Sequence, residues 1–265
     1  SAIRGPDGAL KSDIDGILHS WVTFFPSLFS ASPTDASVQD ELLNNAGPVA
    51  TGLWTLFDGL LTVAEIHKAL KGAATGKSPG SDGLPVEFYS RFWHIIGEDL
   101  LDVLNSSYQA GRLPRSLRGA LITLIFKKGD RTDPKNWRSM SLLNCDYKLC
   151  ARALAGRLLS VLQHVVHPDQ SCGVRGRFIG ENVALLRGIV DYTTESNTAG
   201  AILSLHQEKA FDRVDWSFLF RILDHLGFGS LFVSWARLLY SGVFSSIFVN
   251  GYTAEVFFPS RGVRQ

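Results

Sequence analysis

One imidazole and three carboxylates, His206, Glu208, Asp212 and Asp215, crowd the stretch Leu-Ser-Leu-His-Gln-Glu-Lys-Ala-Phe-Asp-Arg-Val-Asp-Trp at residues 203–216. Carboxylate oxygens are hard ligands suited to Mg2+, whereas an imidazole nitrogen suits softer metals, so His206 is the odd member of the set. The apolar run 201–205 predicts a buried strand, and residue 206 then stands at its carboxyl end, where α/β folds collect their chemistry. Asp215 is the expected N-cap of a helix marked by Leu219, Ile222, Leu223 and Leu226 and stopped by Gly227.

A second set of chemistry-bearing residues is cationic. The formal charge of +1 hides an asymmetry, because residues 112–187 hold fourteen basic residues against five acidic ones, while residues 1–111 are acidic. Eight of the basic residues fall in 112–138, over an apolar strand (120–126), a charged turn (127–134) and a returning strand (136–143). A basic run on a hairpin points to a phosphate-facing surface rather than only a solvated face. Gly76-Lys77-Ser78 resembles the end of a Walker A loop, but Lys71 stands where the required glycine would be and a helix pattern precedes it, which excludes a P-loop NTPase.

Composition narrows the remaining classes. With 265 residues, 45% of them hydrophobic, and with six Trp and seventeen Phe, the chain can bury a sizeable core. No apolar run reaches the roughly 18–20 residues of a bilayer span, so no membrane partner is expected, and the setting expected is intracellular. Cys145, Cys150 and Cys172 form no Cys-x-x-Cys pair, against both a disulfide scaffold and a thiolate zinc site. His164 and His167 are spaced to share a helix face, but no third ligand lies near them in sequence.

The elements that must position these residues follow from periodicity. Ile14, Ile17, Leu18, Trp21, Val22 and Phe25 mark one helix among Gly-, Pro- and Ser-rich connectors in residues 1–61, read as a linker. Thr62 and Glu65 form a capping box for the next helix. Further helices are expected over 95–109, over 147–163 with Lys148, Arg152 and Arg157 facing outward, from Ile179 to Val190, and around Leu231 to Leu239. Asn250-Gly251 between two β-prone runs predicts a type I′ hairpin.

Taken together, residues 62–265 carry five blocks that resemble, in order, the reverse transcriptases of LINE-type (non-LTR) retrotransposons. The match is sharpest at Glu208-Lys209-Ala210-Phe211-Asp212, which that family places after an aspartate at the position of His206. The resemblance implies an α+β (mixed α/β) fold: right-hand polymerase fingers plus a partial palm, with helices packed on short antiparallel strands. It divides the chain into an N-terminal extension (1–61), fingers (62–200) and the first half of the palm (201–265). It implies nucleotide contacts at Lys127, Lys128, Arg138 and Gln265, and template contacts at Lys77, Gly80, Gln170 and Arg177. Implied too are Mg2+ as cofactor, an RNA template and RNA/DNA hybrid as partners, and palm and thumb segments not present here. Ser139 and Arg175 stand where the family usually has proline, the former expected to loosen the strand's exit. No Asp-Asp pair occurs, and Arg261-Gly262-Val263-Arg264-Gln265 looks like the opening of the next palm motif, so a fragment is expected. The metal ligand lost at His206, with Asp212 only supporting, makes this an expected inactive polymerase piece that does not hold Mg2+ productively. The alternatives are a non-catalytic binder of RNA or RNA/DNA hybrid and a decayed element copy without function.

Overall fold

The computed structural model describes residues 2–45 and 58–264, so Gln265 lies outside the described residues. At the amino end, β1 (Ile3–Arg4) and β2 (Leu10–Lys11) pair antiparallel and lead into α1 (Ile14–Leu28). Asp13 caps α1 by accepting from the Gly16 amide at 2.7 Å. Its Ile17, Trp21, Phe25 and Leu28 are buried at helical spacing. The expected linker therefore contributes a core helix. A second helix that the periodicity did not announce, α2 (Ala36–Asn45), follows.

Helices α3 (Val63–Lys71), α4 (Val86–Gln109) and the single turn α5 (Arg115–Arg118) precede the expected hairpin. The hairpin is present as β3 (Gly119–Phe126) and β4 (Trp137–Leu143), joined through a 3₁₀ turn at Pro134–Asn136. Then come α6 (Cys145–Val165), α7 (Ile179–Glu195), α8 (Trp216–His225), α9 (Ser230–Tyr240), β5 (Phe244–Val249) and β6 (Tyr252–Phe257). Asn250 and Gly251 join the last two strands with φ of 54° and 88°, the positive angles a type I′ turn demands.

The four long strands form one sheet in the order β4-β3-β5-β6, with β3 antiparallel to β4 and parallel to β5. Strands on either side of the expected division at residue 200 thus share one hydrogen-bonded sheet. Ile122 and Ile247 lie opposite each other and pack under Trp21, Phe25 and Phe29. On the other side of β3–β4, Ile125 pairs with Arg138 and both are exposed, as is Met140. The fold is mixed α+β, as expected.

A second core gathers α3, α4, α6 and α9 around Ile66, Leu104, Leu149 and Trp235. The capping box is present, with Thr62 and Glu65 satisfying each other's backbone amides. Arg157, expected to face outward, is instead only 8% exposed. Its guanidinium donates to both Glu65 carboxylate oxygens at 2.6 and 2.9 Å and to the carbonyls of Gly59 and Leu60. A planar five-donor head explains the difference, because it satisfies several acceptors at once and so tolerates burial where an ammonium would not.

One further expectation fails. Residues 201–205 are not a buried strand: Leu203 and Leu205 are 80% and 84% exposed. A strand needs a neighbour's backbone groups, and among the described residues none pairs with this run. Helix α7 forms as expected, yet none of its residues is buried, and Val183, Leu186, Ile189 and Val190 are exposed.

The Arg157–Glu65 pair generates a prediction. Burial pushes the Glu65 carboxyl up, but the bonds from Arg157 and Thr62 more than reverse this, leaving it below the usual range. Its stabilising contribution is therefore complete above the ordinary glutamate range and is lost as pH falls through the lowered value. Arg157→Met should cost about 2–3 kcal/mol, below the full cost of breaking a buried pair because Glu65 is partly exposed. Urea unfolding at neutral and acid pH should show that cost shrinking on acidification.

Candidate functional site

The hairpin places its cations first. Lys127 and Lys128 leave the end of β3, Arg138 stands on β4 across from Ile125, and all three are exposed with no ion pair among the described residues. Arg131, in the same turn, is spent differently: its guanidinium lies 4.7 Å from the Phe126 ring centroid and 5.8 Å from that of Trp137. The turn is ordered by Asp130, which accepts from the Thr132 amide and hydroxyl, and by Asn136, which donates to the Asp130 carbonyl.

Next to β4 runs the segment that holds the expected catalytic residues. Lys209 adopts a left-handed φ of 51°, and a 3₁₀ turn at Ala210–Arg213 carries the chain into α8. Lys209 Nζ donates to the Trp137 carbonyl at 3.1 Å, and Asp212 accepts from Ser139 Oγ at 3.5 Å, so both ends of the turn hold β4. Ser139, where proline was the family expectation, is buried in an intact strand and supplies a hydroxyl to Asp212. Burial pushes the Asp212 carboxyl up, and the Lys209 charge pulls it part of the way back. Asp215 caps α8 as expected, accepting from the Phe218 amide at 2.8 Å.

The other wall of this turn is the segment after β6. Gly262 N donates to the Val214 carbonyl, Val263 N to that of Phe211, and Trp216 Nε1 to the Gly262 carbonyl at 2.8 Å. Gly262 has a φ of +86°, and a Cβ there would lie 2.6 Å from the Asp212 carbonyl oxygen. Only glycine fits, because the backbone is left-handed and the neighbouring turn is too close. Sequence reasoning did not mark Gly262, Trp216 or Ser139 as parts of one clamp.

His206 sits before the clamp, exposed and outside any strand. The residues around it do not fit a pair of hard divalent cations. Glu208 faces Arg213, Asp212 is half-buried against Ser139 and Lys209, and the Asp215 carboxylate is taken up by its cap. No three His, Cys, Asp or Glu side chains converge to hold an ion among the described residues. An imidazole supplies one neutral nitrogen in place of an anionic oxygen.

Of the four expected template residues, Lys77 is exposed in its loop. Gly80 answers to the protein itself: a Cβ there would lie 2.1 Å from Asn144 Oδ1 and 2.4 Å from its amide. Asn144, buried between β4 and α6, donates in turn to the Ser116 carbonyl at 3.1 Å. Gln170 Nε2 donates to the Cys172 carbonyl. Arg177 gives its guanidinium to the carbonyls of Gln163, Val166, His167, Pro168 and Gln170, tying the end of α6 to the turn before α7.

Residues 125–265 match the family model described as "Reverse transcriptase (RNA-dependent DNA polymerase)". The "Transposon TX1 uncharacterized 149 kDa protein" of Xenopus laevis is 39% identical over 260 residues, which is 98% of this chain and 20% of that protein. The "Retrovirus-related Pol polyprotein from type-1 retrotransposable element R2" of Popillia japonica is 32% identical over 163 residues, 62% of this chain and 22% of that protein. The corresponding polyprotein from type-2 element R2DM of Drosophila melanogaster is 25% identical over 193 residues, 71% of this chain and 17% of that protein. The chain thus spans about a fifth of the length of these relatives.

Two measurements check this geometry. Arg177→Ala should speed amide hydrogen exchange through residues 163–178 while leaving the β3–β4 hairpin protected, because only the former loses its carbonyl tie. Lys209→Met should move the Asp212 titration further upward, since it removes the charge that opposes burial; a carboxyl 13C titration that moves downward or stays put would contradict the assignment.

Proposed function

The chain belongs to the reverse transcriptase (RNA-dependent DNA polymerase) family, of the non-LTR retrotransposon type, and from that premise we propose that it is the fingers and first palm portion of such a polymerase, unable to extend a primer as it stands. The observation that carries the inactive reading is His206, an exposed imidazole where the family has its metal-binding aspartate, with Asp212 half-buried against Ser139 and Asp215 capping α8. The family's reaction uses divalent metal, typically Mg2+, to activate the primer hydroxyl and steady the leaving pyrophosphate. The donor set around His206 does not suit such an ion.

In this reading residues 62–200 are fingers and 201–265 partial palm, sharing the sheet through β3 and β5. Lys127, Lys128 and Arg138 face the triphosphate of an incoming nucleotide, Arg138 with a planar fork able to bond two oxygens. Gln265 completes that set. Lys77 and Gln170 face an RNA template. Gly80 and Arg177 serve the same surface from behind, the first by letting the loop close on Asn144 and the second by holding the turn.

A second reading, a non-catalytic binder of RNA or RNA/DNA hybrid, is favoured by one observation: the exposed hairpin cations are independent of what stands at 206. Such binding would weaken steeply with salt.

The test is primer extension on an RNA template by a chimaera that joins this chain to an intact remainder of a family polymerase. The His206 form should give no product and His206→Asp should restore it. Robust extension by the His206 form would overturn the inactive reading.

A further inference from the structure

The amino-terminal hairpin, α1, the tip of the β3–β4 turn and the 208–213 turn together line an open cavity of about 680 Å3. Its size falls within the range of small-molecule and cofactor sites, roughly 300–1,000 Å3. It lies on the α1 side of the sheet, whereas Arg138 pairs with Ile125 on the opposite side. Arg138 therefore faces away from the site, whereas Lys127 belongs to the turn that borders it and its charge reaches Lys209.

Its lining is cationic: Arg4, Lys135, Lys209, Arg213 and Arg261 stand against two carboxylates, Asp133 and Glu208. The carboxylates offset little of this. Asp133 accepts from the Lys135 amide at 2.9 Å, while Arg4 faces Asp130 at 3.6 Å and Arg213 faces Glu208 at 3.9 Å, both exposed pairs that a phosphate oxygen can replace. The Arg261 guanidinium bonds to the Leu28 carbonyl and the Ser32 hydroxyl, and Lys209 bonds to the Trp137 carbonyl, all neutral oxygens. Phe24, Leu28 and Pro134 add an apolar part to the lining. The Arg4 amide donates to the Thr132 carbonyl at 2.8 Å, so the hairpin that supplies Arg4 is docked on the turn that supplies Lys135.

A cluster of cations beside apolar side chains suits a ligand with an oxyanion at one end and a flat apolar body at the other. We propose that this cavity is a second anion site that takes a nucleotide unit, its phosphate oxygens on Lys135, Arg213 and Arg4 and its base against Phe24 and Pro134. The unit comes either from a single-stranded RNA or from a free nucleotide. The proposal does not rest on the polymerase reading, since it needs neither a metal ion nor the residue at 206.

The test uses the whole chain with two probes, a short fluorescein-labelled oligouridylate followed by anisotropy and UTP followed by thermal shift. Lys135→Glu with Arg213→Glu changes two exposed side chains, and unchanged circular dichroism would show that the fold is kept. The comparison variant carries Arg138→Ala on the other face with Lys127→Ala and Lys128→Ala in the turn, and its failure to alter binding would count against the hairpin assignment alone. For an RNA source, the cavity variant should lose at least about tenfold in affinity and flatten the log–log salt slope by about 0.7 per lost phosphate contact, even when combined with the hairpin changes. For a free nucleotide, UTP should raise the melting temperature of the hairpin variant and no longer do so once the cavity changes are added to that variant, with RNA binding unaltered by the cavity changes. Equal behaviour of wild type and cavity variant toward both probes would overturn the proposal.

Discussion

Strand β3 must satisfy two hydrogen-bonding edges at once, and the rest of the molecule is arranged around how it does so. One edge is met locally by β4 through a turn, the other by β5, more than a hundred residues later in the chain and parallel. An unpaired backbone group buried at either edge costs as much as a lost hydrogen bond, so β3 cannot sit in the core until the distant strand arrives. Once β5 is in place, Ile122 and Ile247 are adjacent and form the floor on which Trp21 and Phe25 rest. The same pairing brings the segment after β6 back beside β4, where Gly262 and Trp216 close on the 209–216 turn. The position of Asp212 is therefore a consequence of sheet closure.

Charge in this chain divides into work inside the protein and work at its surface. Among the many basic residues of the central region, Arg157 is buried on Glu65, Arg177 ties five carbonyls, and Arg118 donates to the carbonyls of Leu113 and Gly242. Arginine recurs in this internal role because its planar fork meets several fixed acceptors while keeping its charge. Lys127, Lys128 and Arg138 project away from the fold with no ion pair among the described residues. A count of basic residues along the sequence merges these populations, and the exposed cationic surface is smaller than the count implies.

The substitution at 206 has a different character from the one at 139. Ser139 is absorbed: the strand stays paired, and the hydroxyl acquires Asp212 as a partner. His206 is not absorbed by any neighbour, and the carboxylates nearest in sequence are committed to a cap, an arginine and a half-buried contact. Under the proposed reading the anionic ligand missing at 206 is not replaced by Asp212, held half-buried against β4, or by Asp215, held in its cap.

Local grammar determined much of this protein in advance. The capping box at Thr62 and Glu65, the Asp215 cap, the Asn250-Gly251 turn and the β3–β4 hairpin each depend on contacts a few residues apart or on intrinsic φ preferences, so residue types and spacing suffice to place them. The family motif around Glu208 to Asp212 was legible for the same reason. What only the tertiary structure decided is what distant segments do to one another. It placed α1 in the core, buried Arg157, set Gly80 against Asn144 and left residues 201–205 exposed, although their composition is that of a buried strand. Burial and partnership belong to pairs of surfaces, and a one-dimensional pattern records only one surface of each pair.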